Sequence, residues 1–200
     1  MAAAEDRAKP WAWFKFLATT DSGYLLLETD SGIVTVNPRA ARERIAFERL
    51  MAQGAQAIPS QPLLIPETVQ LPPADFHRIA NSIEAIRGMG FRIEPFGQGT
   101  FKIDAVPQIV GNLPCEAILA SIAGELASPS PGRGDRWRAE IVAKSIARAY
   151  AGASAAIDRE GAMQLVEELI SCRMPYICPR GKCVMIFTST RELDRKFGRL

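Results

Sequence analysis

The stretch "YLLLETDSGIVTVNPRAARERIAFERL", residues 24–50, decides the fold of this chain. Two apolar runs stand on either side of the triplet DSG at residues 30–32, and such a triplet is typical of a tight turn between antiparallel strands. Asn37 follows the second run with a side chain that caps helices, and Pro38 suits the first helical position. The stretch therefore predicts a β-hairpin that runs directly into a helix.

The segments on both sides of this stretch also carry strand and turn patterns. "WAWFKFLATT", residues 11–20, leads through a second DSG triplet into the hairpin, so residues 11–36 predict a three-stranded meander. After the helix, "AIPSQPLLIPETVQLPP", residues 57–73, is an extended run with five prolines. Because proline cannot donate a hydrogen bond within a central strand, these prolines predict an edge strand.

Helical patterns dominate the middle of the chain. Asp75 is predicted to cap a helix that runs to about residue 87, followed by a hairpin over 91–106 and helices over 114–127, 136–150 and 158–171. A strand pattern returns at 183–189. This order predicts an α+β fold with a mainly β subdomain built from both chain ends, residues 11–71 and 177–200. A mostly helical subdomain, residues 72–176, is predicted to be inserted into it.

The composition excludes several classes of protein. Of the 200 residues, 48% are hydrophobic and 23% are charged, which is ordinary for a globular protein. No apolar run approaches the roughly 20 residues of a membrane span, so no membrane association is expected. The net charge of +2 is too small to indicate nucleic-acid binding by itself. The first ten residues lack the apolar centre of a secretory signal, and we expect a cytoplasmic protein without disulfides.

Few side chains in the chain suit catalysis or metal binding. The single histidine, His77, has no visible acid or nucleophile partner, and we expect it to pack at a surface or an interface. Cys172, Cys178 and Cys183 lie within one short segment but form no CxxC pair, which favours buried free thiols over the alternative of a structural zinc. No serine stands in a nucleophile elbow, and no glycine loop suits a phosphate. We therefore expect no cofactor.

Glu43 and Glu48 have a plain structural interpretation. In "RAARERIAFER", residues 39–49, charged side chains alternate with apolar ones. This pattern is typical of a solvated helix face with ion pairs four residues apart, here Arg44 with Glu48. The two glutamates are separated by about 140° around a helix, so they cannot both bind one ion unless the helix breaks.

Six separated blocks of the chain point to a known family. They are "YLLLETDSGIVTVNPRAARERIAFERL", "SQPLLIP", "FKIDAVPQIV", "VAKSIARAY", "CPRGKCVMIFTS" and "RELDRKFGRL". In this order they resemble the C-terminal domain of MutL-type DNA mismatch repair proteins, and the resemblance covers about Trp13 to Leu200. It implies a homodimer that forms through an external subdomain, into which an internal, regulatory subdomain is inserted. It also implies ATPase arms in the full-length protein.

Many members of that family are metal-dependent nicking endonucleases, and this chain departs from their motifs. Asn37, Pro38 and Arg39 stand where the first motif has Asp, Gln and His, whereas Glu43 and Glu48 match it. Ala143 stands at a cysteine position of the second motif. In the third motif Cys178 matches, whereas Arg180 and Lys182 stand at histidine and arginine positions.

These departures predict a decayed nicking centre. Of the implied ligands only Glu43 and Cys178 remain, and a permanent cation at Arg39 or Arg180 repels a divalent ion and is expected to pair with Glu43. We therefore expect no catalytic residues and no bound metal. The alternative is a latent metal-dependent nicking endonuclease with a rearranged site. A third possibility, a scaffold without ATPase arms, stays open, as does a piece of a longer protein.

One motif of the family looks intact. "QPLLIP" resembles its sliding-clamp-binding segment, which implies that Gln61, Leu64, Ile65 and Pro66 bind the clamp. An extended peptide of this kind offers amide hydrogen bonds and apolar side chains for a pocket, and its prolines reduce the entropy lost on binding. The alternative is an edge strand whose leucines pack into the core of the chain itself.

Further partners follow from the resemblance and from composition. A MutS-type mismatch recognition protein is an implied partner. Weak DNA contact is a hypothesis for the helix that carries Trp137, Lys144 and Arg148, since its cations can contact phosphates. Large aromatic side chains supply interface area, so the dimer is expected to use Trp11, Trp13, Phe14 and Phe16.

Overall fold

The computed structural model of the chain describes residues 11–52, 58–127, 134–153 and 157–199. Its strands are β1 (Phe14–Thr19), β2 (Leu25–Thr29), β3 (Gly32–Val36), β4 (Ser60–Gln70), β5 (Arg92–Pro95), β6 (Thr100–Pro107) and β7 (Met185–Ser189). Its helices are α1 (Pro38–Ala52), α2 (Pro73–Ala80), α3 (Ile83–Gly88), α4 (Cys115–Leu126), α5 (Asp135–Ala153), α6 (Arg159–Ile170) and α7 (Thr190–Lys196). The predicted α+β class is confirmed. Within these ranges, no helix combines the length and the apolar character needed to cross a membrane.

The predicted meander forms an antiparallel sheet with the last strand of the chain. The strand order is β1-β2-β3-β7, and β7 pairs with β3 from Gly32 opposite Ser189 to Val36 opposite Met185. The turn between β2 and β3 is held by Thr29, whose Oγ1 donates to the carbonyl of Gly32 at 2.9 Å and accepts from its N–H at 3.2 Å. Alternate side chains of β2 and β3 are fully buried, which is the pattern of a sheet with one covered face.

Helices α1 and α6 share a core with this sheet. Buried side chains of α1 (Ala40, Ala41, Ile45) and of α6 (Ala162, Leu165, Val166, Leu169) pack with Leu25, Leu27, Val34 and Val36 of the strands. As predicted, Asn37 caps α1, since its Oδ1 accepts from the N–H of Ala40 at 3.1 Å. The N–H of Asn37 also donates to the carbonyl of Val184 at 2.8 Å, which joins the start of α1 to the approach of β7.

A second sheet has the order β4-β6-β5 and is also antiparallel. Strand β4 lies at its edge, as its prolines predicted. Its core partners include Phe101 and Ile103 of β6, which are fully buried. The single helix predicted over 75–87 is wrong, because the chain turns at residues 81–82 and forms α2 and α3 instead. Asp75 forms an ion pair with Arg78 and does not cap the helix.

The chain divides into two compact units at other positions than those predicted. One unit comprises Met1–Ile45 and Ala155–Leu200, and the other comprises Ala46–Ser154. The predicted boundaries at 71/72 and 176/177 differ for a physical reason. Strand β4 belongs to the sheet of the second unit, because it pairs with β6, and α6 belongs to the first unit, because its apolar face packs in that core. The external and regulatory roles of the subdomains stay predictions.

Candidate functional site

Helix α1 places the carboxylate of Glu43 inside the first unit, where only 1% of the residue is exposed. Arg180 holds this carboxylate from the opposite end of the sequence. Its Nε donates to Oε1 at 2.8 Å and its Nη2 donates to Oε2 at 2.7 Å. This is the two-pronged geometry in which a planar guanidinium matches a carboxylate, and it satisfies the buried negative charge.

The loop that carries Arg180 is tightly folded and is held to α1 at a second point. The N–H of Gly181 donates to the carbonyl of Cys178 at 2.9 Å, and the N–H of Cys178 donates to the carbonyl of Lys182 at 2.8 Å. Gly181 has φ +79°, a left-handed conformation that favours glycine. From α1, the Nε of Arg44 donates to the carbonyl of Ile177 at 2.6 Å. Two arginine side chains therefore join this loop to the helix.

The sequence narrowed the partner of Glu43 to two arginines, and the fold selects one of them. Arg39 is exposed on the first turn of α1, whereas Arg180 binds Glu43. The interpretation of residues 39–49 as a solvated helix face is wrong for Glu43 and Arg44, which are buried. This interpretation failed because a charged residue that has a partner far away in the sequence looks the same, in a local pattern, as one that faces water.

A divalent metal centre does not fit the residues at this place. Zinc and manganese need several anionic or imidazole ligands that converge on one point. Both oxygens of Glu43 are bound to a guanidinium, and the buried Cys178 is the other remaining match to the family's ligand set. Across the described ranges, no group of three or more His, Cys, Asp and Glu side chains is arranged to hold a metal ion. The four cysteines, all within the described ranges, form no disulfide. The predicted burial holds for Cys178, whereas Cys172 is half-buried and Cys183 is exposed.

A second candidate site lies on the edge strand β4, at the segment that resembles a clamp-binding motif. The pairing of β4 with β6 shifts between Pro62, opposite Ala105, and Glu67, opposite Ile103. Four residues, 63–66, therefore lie opposite Asp104 alone, which makes a large bulge in the edge of the sheet.

The bulge turns two large apolar side chains towards solvent. Leu64 is 104% exposed and Ile65 is 81% exposed, and Gln61 and Pro66 are exposed as well. Leu63 is half-buried and packs against the core of the second unit. The alternative, in which the leucines of the edge strand pack into the core, is therefore correct for Leu63 and wrong for Leu64.

The aromatic residues proposed as dimer anchors occupy different environments. Trp11 and Phe16 are each only 7% exposed and belong to the core of the first unit, where Arg159 lies 5.7 Å from the ring centre of Phe16. Phe14 packs against the same core and contacts the ring of Trp11 edge-on. Only Trp13, at 50% exposure, presents a large surface. Phe16 faces inward because it lies opposite Leu27 of β2, which is buried on the covered face of the sheet.

A different set of apolar side chains is exposed on the other face of this sheet. We call Leu17, Leu26, Ile33 and Ile186 the outer sheet face; Leu26 is half-buried and the other three are exposed. Leu26, Thr35 and Ile186 lie directly opposite one another across β2, β3 and β7. Alternation along β2 and β3 was the signal in the sequence for this surface, but Ile186 joins it only through the pairing of β7 with β3.

The cations on α5 that suggested DNA contact are paired with carboxylates. Lys144 Nζ lies 2.7 Å from Glu140, and Arg148 lies 4.0 Å from Glu125. Trp137 packs against the core of the second unit. These pairs reduce the local positive potential that a phosphate backbone would encounter.

Comparison with known proteins gives a consistent family. The family model described as "MutL C terminal dimerisation domain" matches residues 17–155, which is more than half of the chain. The DNA mismatch repair protein MutL of Akkermansia muciniphila is 33% identical over 190 residues, which cover 94% of this chain and 30% of that protein.

Two further relatives carry the same name. The DNA mismatch repair protein MutL of Elusimicrobium minutum is 30% identical over 189 residues, covering 93% of this chain and 31% of the relative. The DNA mismatch repair protein MutL of Endomicrobium trichonymphae is 28% identical over 177 residues, which cover 88% of this chain and 30% of that protein. The chain thus spans about a third of the length of the curated relatives it matches. With the family model across most of its length, this chain belongs to the MutL C-terminal dimerisation domain family.

Proposed function

We propose that the chain forms a homodimer through the outer sheet face and serves as a dimerisation and partner-docking domain in DNA mismatch repair. Family membership supports the dimer. The exposed Leu17, Ile33 and Ile186 support this choice of face, since burying apolar side chains drives association. The face is continuous across β2, β3 and β7, and a second copy can pack on the same residues around a two-fold axis.

The proposal includes a degenerate nicking centre, and the contact between Arg180 and Glu43 is the observation that carries this part. A guanidinium that binds both oxygens of the carboxylate leaves it poorly suited to a divalent ion. The alternative of a rearranged endonuclease site needs other ligands to converge. The described part of the chain offers no cluster of three for this purpose.

The proposal also includes a sliding clamp as a partner of the bulge in β4. Gln61, Leu64, Ile65 and Pro66 are all exposed there, and the rest of β4 is held in the sheet. A segment that is held in this way loses little conformational entropy when it binds. The side chains of Leu64 and Ile65 contribute little to the packing of the chain itself, and this supports a role in contact with a partner.

The remaining partners belong to the proposal through family membership, and DNA contact also through the cations of α5. They are a MutS-type mismatch recognition protein, weakly bound DNA, and ATPase arms in the complete protein, which acts in the cytoplasm. Because Lys144 and Arg148 are paired with carboxylates, the contact of this helix with DNA is expected to be weak. In this scheme the dimer holds two ATPase arms together so that they can close around DNA.

Analytical ultracentrifugation tests the dimer. At micromolar concentration we expect the chain to sediment as a dimer, and we expect Ile33→Glu with Ile186→Glu to sediment as a folded monomer. Leu64→Glu with Ile65→Glu also adds two carboxylates, on exposed residues of β4, and is expected to remain dimeric. A monomeric wild-type chain would contradict the dimer, and a dimeric double variant would contradict the choice of face.

Plasmid nicking tests the second part of the proposal. We expect no manganese-dependent nicks in supercoiled DNA from the wild-type chain, at any concentration at which it is dimeric. Nicks that depend on manganese, and that disappear in Glu43→Gln, would favour the alternative of an active endonuclease.

A further inference from the structure

We infer that Arg180 serves as a built-in cation for Glu43, so that the contact between the two residues fastens the loop from Tyr176 to Val184 onto α1 without any metal ion. This inference concerns how the first unit is stabilised, and it holds whether or not the outer sheet face forms a dimer.

The carboxylate of Glu43 is buried, and burial of a charge costs free energy. Glu43 is 1% exposed, and an ionised carboxylate at such a position destabilises a fold unless a positive charge and hydrogen bonds compensate it. Arg180 supplies both through two hydrogen bonds of 2.8 and 2.7 Å. The side chain of Arg180 keeps 31% exposure, so its charge stays partly hydrated while it neutralises Glu43.

The contact between Arg180 and Glu43 joins two parts of the first unit that are far apart in the sequence. Glu43 lies on α1, and Arg180 lies on a loop 137 positions later, between α6 and β7. Within this loop the N–H of Val184 donates to the carbonyl of Tyr176 at 2.9 Å, and Val184 and Cys178 are each 1% exposed. The contact therefore fixes a compact loop whose next residues form β7.

The cation in this contact is a guanidinium. A guanidinium presents two parallel N–H groups to the two carboxylate oxygens, whereas a lysine ammonium is a point charge. Arg180→Lys is therefore expected to keep part of the stabilisation, because it preserves the charge and loses the paired geometry. If only the bulk of the side chain mattered, Arg180→Lys would not be more stable than Arg180→Met.

A double-mutant cycle on the full 200-residue chain tests the inference, with thermal unfolding as the measurement. We expect Arg180→Met to lower Tm by about 10 °C, because it leaves a buried carboxylate without a counter-charge. In a Glu43→Met background the same substitution is expected to change Tm by less than a third as much. Equal losses in the two backgrounds would overturn the inference.

Two further measurements keep the test decisive. If Arg180→Met does not yield folded protein, the cycle is run with Arg180→Lys, which is expected to lower Tm beside Glu43 and to leave it unchanged beside methionine. Equal effects of Arg180→Lys in both backgrounds would overturn the inference as well. In the wild type, excess EDTA, Zn²⁺ or Mn²⁺ is expected to leave Tm unchanged, and a rise with either metal that disappears in Glu43→Gln would also overturn it.

Discussion

Gly32 and Thr188 approach so closely across β3 and β7 that a Cβ on Gly32 would lie 2.2 Å from the carbonyl oxygen of Thr188. The same Cβ would lie 2.8 Å from the Cα of Ser189. Both neighbours are backbone atoms, so they cannot move aside as a flexible side chain can. The glycine at the end of the DSG triplet thus serves two purposes, since it ends the turn after β2 and admits the last strand of the chain.

Replacing this glycine should therefore weaken the first unit. Gly32→Ala is expected to lower the free energy of unfolding by about 3 kcal/mol, measured by denaturant titration, because the added methyl group overlaps the backbone of β7. Gly124→Ala in α4 is the matched control, since nothing lies within 4 Å of its added Cβ. The control is expected to raise stability by up to about 1 kcal/mol through helix propensity. A neutral Gly32→Ala would show that β3 and β7 separate easily.

The bulge in β4 should separate binding from folding. Leu64→Asp is expected to change the free energy of unfolding by less than about 0.5 kcal/mol, since Leu64 is fully exposed. The same change is expected to weaken sliding-clamp binding by about tenfold or more, measured by surface plasmon resonance, because it removes an apolar anchor.

Leu63→Ala is the neighbouring control for that experiment. Leu63 packs against the core of the second unit, so its truncation is expected to cost about 1–2 kcal/mol of stability and to leave clamp affinity near the wild-type value. Clamp binding that survives Leu64→Asp with Ile65→Asp would exclude this segment as the docking site.

Stability at high pH should depend on Cys115. Burial of the thiol, together with its hydrogen bond to Glu67, raises the pKa of Cys115 from 9.0 to about 12. The folded chain therefore keeps this proton to higher pH than the unfolded chain. The resulting stabilisation is fully present below pH 9 and is lost as the pH rises towards 12.

The measurement is the difference in unfolding free energy between the wild type and Cys115→Ala, taken at several pH values. We expect this difference to shrink as the pH rises from about 9 towards 12. Gly124→Ala changes no titratable group, so its difference from the wild type is expected to stay constant over the same range. A constant difference for Cys115→Ala would mean that the thiol is not buried in solution.

Restoring the family's ligand types should make the first unit responsive to metal. Asn37→Asp with Arg39→His and Arg180→His removes two cations and adds a carboxylate and two imidazoles, which together with Glu43 and Cys178 are ligand types that zinc binds. Because an aspartate also caps a helix, α1 is expected to persist. We expect Zn²⁺ to raise the Tm of this variant and to leave that of the wild type unchanged.

The plasmid assay with Mn²⁺, run on the same variant, asks whether metal binding brings back nicking. Asn37→Asp alone is the control, since it keeps both Arg39 and Arg180 and is expected to respond to neither metal. A triple variant that ignores Zn²⁺ would show that Ala143 or another lost ligand, and not the arginines, prevents metal binding.

Elements that depend on neighbours in the sequence were predicted well. The DSG turns and the cap at Asn37 depend on interactions within a few residues, and the structure confirms them. The edge position of β4, predicted from its prolines, is also confirmed. The split between α2 and α3, at the turn of residues 81–82, was missed.

The burial of particular side chains could not be predicted to the same degree. Trp11 and Phe16 carry the same local pattern as the exposed Trp13, and their place in the core depends on how β1 lies beside the helices of the first unit. Likewise, one leucine of the pair Leu63 and Leu64 faces the core and the other faces solvent. The shift in register between β4 and β6 determines which one.

By itself the sequence determined the element types, the α+β class and the departures from the family's motifs, because each of these can be read from residue types and their spacing along the chain. Only the tertiary structure decided that Arg180 neutralises Glu43, that Leu64 faces solvent, and that β7 pairs with β3. The physical reason is distance. Helix caps and turns act between close neighbours in the sequence, whereas a buried charge finds its partner through the packing of segments that lie more than a hundred residues apart.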